Sequence, residues 1–362
     1  MFTAARRILQ EAVAQRVFPA AVVEVGDAAR VRWAEAFGTL TYAPGSPPAS
    51  GDTVFDLASL TKVISTTSLV MSLVERGGLR LGDRVEAWIP GWRGSDRVHV
   101  VLEDLLAHAS GLPDTRPLFE TMTGRASIER AICEMPLEYA PCTASRYSDL
   151  GFILLGFVLE NAEGRGLARQ FDELVRRHKP GWAIRYGIAE GWRPRTAPTQ
   201  VDPWRGRLLQ GEVDDRNAAA LDGVAGHSGL FGTAEAVGQF ARAVLGVIHG
   251  AARLPRLATS ETLARFVRRV HTPGSSRALG WDTMLPSSSC GTRMSPAAFG
   301  HTGFTGTSLW IDPRAGISVV LLSNRVHPVA GNPSAIREVR RAVHDAVMGE
   351  IEDSGLPAAP DV

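Results

Sequence analysis

The chain has 362 residues, of which 44% are hydrophobic and 21% charged, and its formal net charge is +1. That is an ordinary globular composition, long enough for one large domain or two interleaved ones. It supplies no field to draw in nucleic acid or an anionic membrane, and no apolar run nears the roughly 18 residues that span a bilayer. Three cysteines, Cys133, Cys142 and Cys290, with no C-x-x-C pair among them, argue against a disulfide framework or a thiolate zinc site and fit a reducing compartment.

Residues 3–17 carry apolar positions near helical spacing. Arg6, Arg7, Glu11 and Arg16 interrupt any signal-type apolar core, so a cytoplasmic protein is expected. Two strand-like runs follow at 20–25 and 31–37, then a Pro/Gly/Ser-rich loop at 45–51 and a short extended run at 53–57. From 59 to 76 the pattern is helical and apolar around almost the whole circumference, which marks a buried helix ended by Gly77 and Gly78. Helical stretches at 102–107 and 150–162 characterise the middle. The basic cluster Arg176, Arg177, His178 and Lys179 is expected to be a solvated helix end. After a loop with four glycines at 223–232, Thr233 is placed to N-cap a helix, with Glu235 in its first turn. Strands at 307–311 and 317–322 flank a Pro/Gly turn, and a helix at 334–348 precedes a tail expected to be loose. This order predicts a discontinuous α/β domain, 1–80 with 223–350, interrupted by a mostly helical domain at 81–222 and trailed by 351–362.

The 39 basic residues include only two lysines, Lys62 and Lys179. Where a lysine persists in an arginine background, one asks what arginine cannot do, and the answer is to lose a proton near neutral pH. Ser59-Leu60-Thr61-Lys62 has the S-x-x-K spacing, which on a helix sets hydroxyl and amine on one face, with free N–H groups at the helix start to stabilise developing negative charge. The apolar helix around Lys62 is expected to lower its pKa so that the neutral amine serves as a base. The same residues also fit a plain N-cap and a snorkelling amine. Tyr147-Ser148-Asp149 precedes the apolar run at Leu150; its phenol suits proton transfer, while Ser148 or Asp149 equally suits an N-cap. Gly300-His301-Thr302-Gly303-Phe304-Thr305-Gly306 places three glycines in seven residues before a strand, which suits either close backbone approach to a ligand or a turn with an exposed histidine.

Together these three motifs resemble, in order and spacing, the signatures of class C β-lactamase-like serine hydrolases, a superfamily that includes DD-peptidases and esterases. Residues 105–113, 223–231 and 304–313 are similar too, and the resemblance runs from about 5 to 348. It implies a β-lactamase/transpeptidase-like α/β fold: an antiparallel sheet flanked by helices, with an inserted helical domain. It also implies Ser59 as nucleophile, Lys62 and Tyr147 as the proton-handling pair, the N–H groups of Ser59 and Phe304 as an oxyanion hole, and Asp149, His301, Gly303 and Phe304 facing the substrate. Two departures matter. The second motif commonly ends in Asn, where Asp149 offers only acceptors when ionised, and the third commonly begins with Lys, where His301 is largely neutral near pH 7.

Both departures move the expected substrate away from penicillins and carboxylate-ended peptides toward a neutral carboxylic ester or amide. A β-lactamase, a D-amino-acid peptidase, an acyltransferase and a non-catalytic acyl-binding sensor are the alternatives. No cofactor is expected, and the nine histidines show no metal-ligand spacing. Gly226-His227-Ser228 only partly matches a nucleophile elbow, since Leu230 stands where the second glycine belongs. His108 and His227 are expected to brace turns, and Trp204, Trp281 and Trp310 to lie in the core.

Overall fold

The computed structural model describes residues 2–178, 181–250 and 258–353. The chain begins with α1 (Thr3–Ala14), β1 (Ala20–Asp27), β2 (Val31–Gly38) and β3 (Phe55–Asp56), then a π-helical segment, Lys62–Thr67, that continues as α2 (Ser68–Glu75). Its middle holds α3 (Val85–Trp88), α4 (Leu102–Leu106), α5 (Arg125–Glu134), α6 (Asp149–Glu163), α7 (Leu167–His178), β4 (Ile184–Tyr186), β5 (Val201–Asp202), β6 (Arg207–Leu208) and α8 (Arg216–Ala219). It returns through β7 (Leu230–Gly232), α9 (Ala234–Ile248), α10 (Ser260–Val267), β8 (Asp282–Thr283), β9 (Phe299–Thr302), β10 (Ser308–Asp312), β11 (Ile317–Ser323) and α11 (Pro333–Asp353).

The main sheet has the order β2-β1-β11-β10-β9-β8 and is antiparallel throughout. Its central strands are apolar at nearly every position because both faces are covered. Val23, Val25, Trp310, Val319 and Leu321 pack in one core cluster with Leu9 of α1 and Val343 and Val347 of α11. Their alternates Val22, Leu309, Ile311, Val320 and Leu322 join a second cluster with Phe240 and Val244 of α9 and Leu60, Val63 and Ile64 beside Ser59. Period-two alternation thus divides the sheet between two cores.

Register places the third motif. His301 lies opposite Leu309, which lies opposite Val320, and directly paired residues share a face, so His301 falls on the side of the Ser59 helix. The segment 81–222 holds most of the helices but also β4, which pairs with β7 next to β3. Nearly all of its buried apolar side chains belong to the same cluster as the inner face of the main sheet.

Some expectations need amendment. Arg176 and Arg177 are exposed, but His178 is buried, and Lys179 lies outside the described residues, as does 354–362 of the expected tail. Trp281 and Trp310 are core, whereas Trp204 is 42% exposed and meets Phe119 edge to face. No described helix is long and apolar enough to cross a membrane.

Candidate active site

Ser59 stands on a strained turn. Ala58, just before it, has φ of 47°, a left-handed conformation uncommon for a residue with a Cβ. The Asp56 carboxylate holds that turn, taking the Ala58 N–H at 2.8 Å and the Asp214 N–H at 2.7 Å. Burial, with the charge of Asp214 beside it, pushes the Asp56 carboxyl up to about 7. Three successive i→i+3 bonds follow, the last from Lys62 N–H to Ser59 O at 3.1 Å. In such a 3₁₀ turn, positions three apart eclipse, so Lys62 stands directly over Ser59.

Lys62 is fully buried, and its Nζ donates to Ser59 Oγ at 2.9 Å, to Asp149 Oδ1 at 2.7 Å and to the carbonyl of His227 at 3.2 Å. Tyr147 O–H donates to the same Ser59 Oγ at 2.8 Å. Ser59 Oγ is therefore bound by two side-chain donors and caps no backbone N–H among the described residues. Tyr147 precedes Ser148, which N-caps α6 by accepting the Gly151 N–H and is itself fixed through its own N–H on His108 Nδ1. In that tripeptide Ser148 is the cap, while Tyr147 reaches Ser59. His108 is a brace, as expected.

The expectation of a depressed Lys62 is overturned. Burial does favour the neutral amine, but the Asp149 carboxylate and the Tyr147 oxygen outweigh it, and the Lys62 pKa is raised above its ordinary value. Asp149, expected to face only the substrate, also holds the Lys62 ammonium. Burial raises the Tyr147 phenol too, against the pull of Lys62.

On the opposite wall, His301 is 2% exposed, not the solvent-facing histidine of a simple turn. Its Nδ1 lies 2.9 Å from the Thr302 carbonyl, and burial together with the charges of Arg277 and Lys62 holds it well below the usual histidine range. The ring is neutral, as expected. Gly303 is needed for close approach of a different kind from that expected: a Cβ there would fall 2.1 Å from Thr307 Oγ1 and 2.8 Å from the carbonyl of Leu57. The loop thus lies against the chain entering Ser59. Thr305 and Thr307 tie it down through hydroxyls on the carbonyls of Asp56 and Leu57. Arg340 of α11 clamps it from behind, donating to the carbonyls of Gly303 at 2.9 Å and Thr307 at 2.8 Å. The N–H groups of Ser59 and Phe304 donate to no acceptor among the described residues.

These residues line a cavity of about 910 Å³ that also reaches Phe119, Asp214, Asp215, Arg277 and Arg325. All seven sequence-predicted site residues border it or, for Lys62, bond directly to a residue that does. Sequence reasoning missed Arg277, whose guanidinium lies 5.0 Å from the centre of the Tyr147 ring and makes no ion pair among the described residues. It missed Asp56, Arg340 and the His227 carbonyl as well. No motif signals a carbonyl acceptor or a clamp that arrives from a distant helix. Among the described residues, no three His, Cys, Asp or Glu side chains are grouped to hold a metal.

A family model described as Beta-lactamase matches residues 5–344. The chain belongs to the beta-lactamase family. An N-acetylmuramyl-L-alanine amidase of Bacillus subtilis is 31% identical over 87% of this chain and 79% of its own length. Among solved structures, a class C beta lactamase from Rhodobacter sphaeroides superposes with a TM-score of 0.73 at 18% identity, covering 96% of this chain and 99% of that one. EstCE1, a hydrolase with promiscuous acyltransferase activity, gives 0.72 at 21% identity, covering 94% and 97%. The chain is a serine hydrolase of the beta-lactamase family with the β-lactamase/transpeptidase-like fold.

Proposed function

We propose that this beta-lactamase-family enzyme cleaves a carboxylic ester or amide through an acyl-enzyme on Ser59. The observation that carries the reading is the double hydrogen bond on Ser59 Oγ, from Lys62 and from Tyr147, at the wall of a 910 Å³ cavity. Ser59 attacks the carbonyl, the free N–H groups of Ser59 and Phe304 receive the oxyanion, and the Lys62/Tyr147 pair moves the proton to the leaving group. Water then releases the acid. The free thiols Cys133, Cys142 and Cys290 support a reducing compartment for this activity. A fluorophosphonate probe followed by peptide mass spectrometry tests the assignment: the adduct is expected on Ser59 and absent from Ser59→Ala. Labelling elsewhere overturns it.

A second reading of the substrate is favoured by Arg277. The neutral ester expected from His301 assumes a site without a fixed cation, yet the Arg277 guanidinium, with no ion-pair partner among the described residues, lies over Tyr147. An anionic group next to the scissile bond would use it, and the similarity to an amidase agrees with an amide. The discriminating experiment compares p-nitrophenyl butyrate with p-nitrophenyl hydrogen succinate, with nitrocefin as the β-lactam arm. If Arg277 reads an anion, Arg277→Gln raises KM for the succinate by roughly 10-fold or more and leaves the butyrate unchanged. Equal effects on both esters return the reading to a neutral substrate.

A further inference from the structure

A charged Lys62 carries three Nζ protons, which it donates to Ser59 Oγ, Asp149 Oδ1 and the His227 carbonyl, with the Tyr147 phenol oxygen also beside it. An ammonium has no lone pair with which to take the Ser59 proton. It gains one only by giving a proton to one of those acceptors. Ser59 is the proton source, and an amide carbonyl and a protonated phenol are both far too weak as bases. The carboxylate remains. We infer that Asp149 is the terminal acceptor of the Ser59 proton, reached through Lys62.

This inference rests on the acyl-enzyme reading and names the base within it. As the substrate carbonyl is attacked, one Nζ–H bond of Lys62 breaks and an O–H bond forms on Asp149 Oδ1. The Ser59 O–H bond breaks, its proton re-forms the Lys62 ammonium, and its electron pair makes the new C–O bond. Lys62 is a cation before and after. One negative charge has moved from Asp149 to the oxyanion, where the N–H groups of Ser59 and Phe304 receive it. Collapse of the intermediate runs the relay backwards and delivers the Asp149 proton to the leaving group.

The surroundings favour this route over a phenolate. Tyr147 O–H already donates to Ser59, and burial keeps the phenol protonated although Lys62 and Arg277 both lie near 5 Å from its ring centre. The other titratable groups facing Lys62 are His108 and His301, both held neutral by burial, and Asp215, which bonds to the His227 ring at 2.8 Å. No second side chain bonds to the Asp149 carboxylate among the described residues. Asn, the commoner residue in the motif this chain resembles, accepts a hydrogen bond but not a proton.

The test is the pH dependence of kcat/KM for p-nitrophenyl butyrate in wild type, Asp149→Asn and Asp149→Glu, with circular dichroism to verify folding. In Asp149→Asn the base must be the free amine of Lys62, so the acid limb is expected to move up by about one pH unit or more. Asp149→Glu is expected to return it toward the wild-type position. An Asp149→Asn enzyme that is inactive at every pH beside an active Asp149→Glu enzyme with the wild-type limb also supports the relay. An unmoved limb in Asp149→Asn overturns it, and so does loss of activity in both folded variants. If Ser59→Ala still turns over, the acyl-enzyme reading itself fails, whatever Asp149 does.

Discussion

Two buried cations flank Ser59, and the site treats them oppositely. Lys62, in front, has a carboxylate at 2.7 Å, and its pKa is raised. Arg340, behind, donates among the described residues to the carbonyls of Gly303 and Thr307; burial, reinforced by the nearby Arg325, pushes it down to about 9, which still leaves it charged at neutral pH. A cation beside a carboxylate has somewhere to send a proton. A guanidinium against carbonyls can only hold its acceptors in place. In the proposed mechanism the front of the site moves protons and the back fixes geometry.

The largest expected effect is common to both regions. Ser59→Ala lowers kcat/KM on the order of 10⁴-fold or more, read in the ester assay. Next, Lys62→Met and Lys62→Arg are each expected to cost roughly 10²- to 10⁴-fold in kcat. Their equality is the informative part, because arginine keeps the charge but does not give up a proton; a Lys62→Arg enzyme near wild-type activity would break the contrast. Behind the site, Arg340→Met frees the loop carrying the Phe304 N–H and lowers kcat about 10- to 100-fold, less than full loss of an oxyanion donor. KM should change far less, and Arg340→Lys should recover part of the loss. Equal changes in kcat and KM would argue for a general packing role.

Two smaller effects concern stability. Gly303→Ala drives a methyl into Thr307 Oγ1 and the Leu57 carbonyl and is expected to cost about 1–3 kcal/mol in chemical denaturation. His344, one turn beyond Arg340, has its Nδ1 2.6 Å from the Arg340 carbonyl, and burial holds it down to about 4. Its folded pKa lies below its unfolded value, so this neutral histidine's contribution is present above pH 6.5 and is lost as pH falls toward 4. His344→Leu should therefore shrink the difference in Tm between pH 7 and pH 4.5, a change of roughly 1–3 kcal/mol in linked stability.

The front region was the more legible of the two. Ser59 and Lys62 are three residues apart, so their meeting follows from local geometry, and the scarcity of lysine singled out the partner. The predicted strands at 20–25, 31–37, 307–311 and 317–322 are present as β1, β2, β10 and β11, because apolar patterning records which side chains leave water. The back region left little trace. Arg340 reads as one more basic residue on a helix, and only the packing of α11 against the sheet brings it to the Gly303 carbonyl. Arg277 was invisible for the same reason.

By itself the sequence determined the motifs, the apolar strands and helices around them, and the neutrality of His301's position in place of a lysine. These depend on residue identity and near neighbours. Only the tertiary structure decided the sign of the Lys62 shift. Local apolar helix predicts a depressed amine, but Asp149 arrives from 87 residues away. In a desolvated interior, the energy of a charge is set by the partner at 2.7 Å rather than by the apolar surroundings alone.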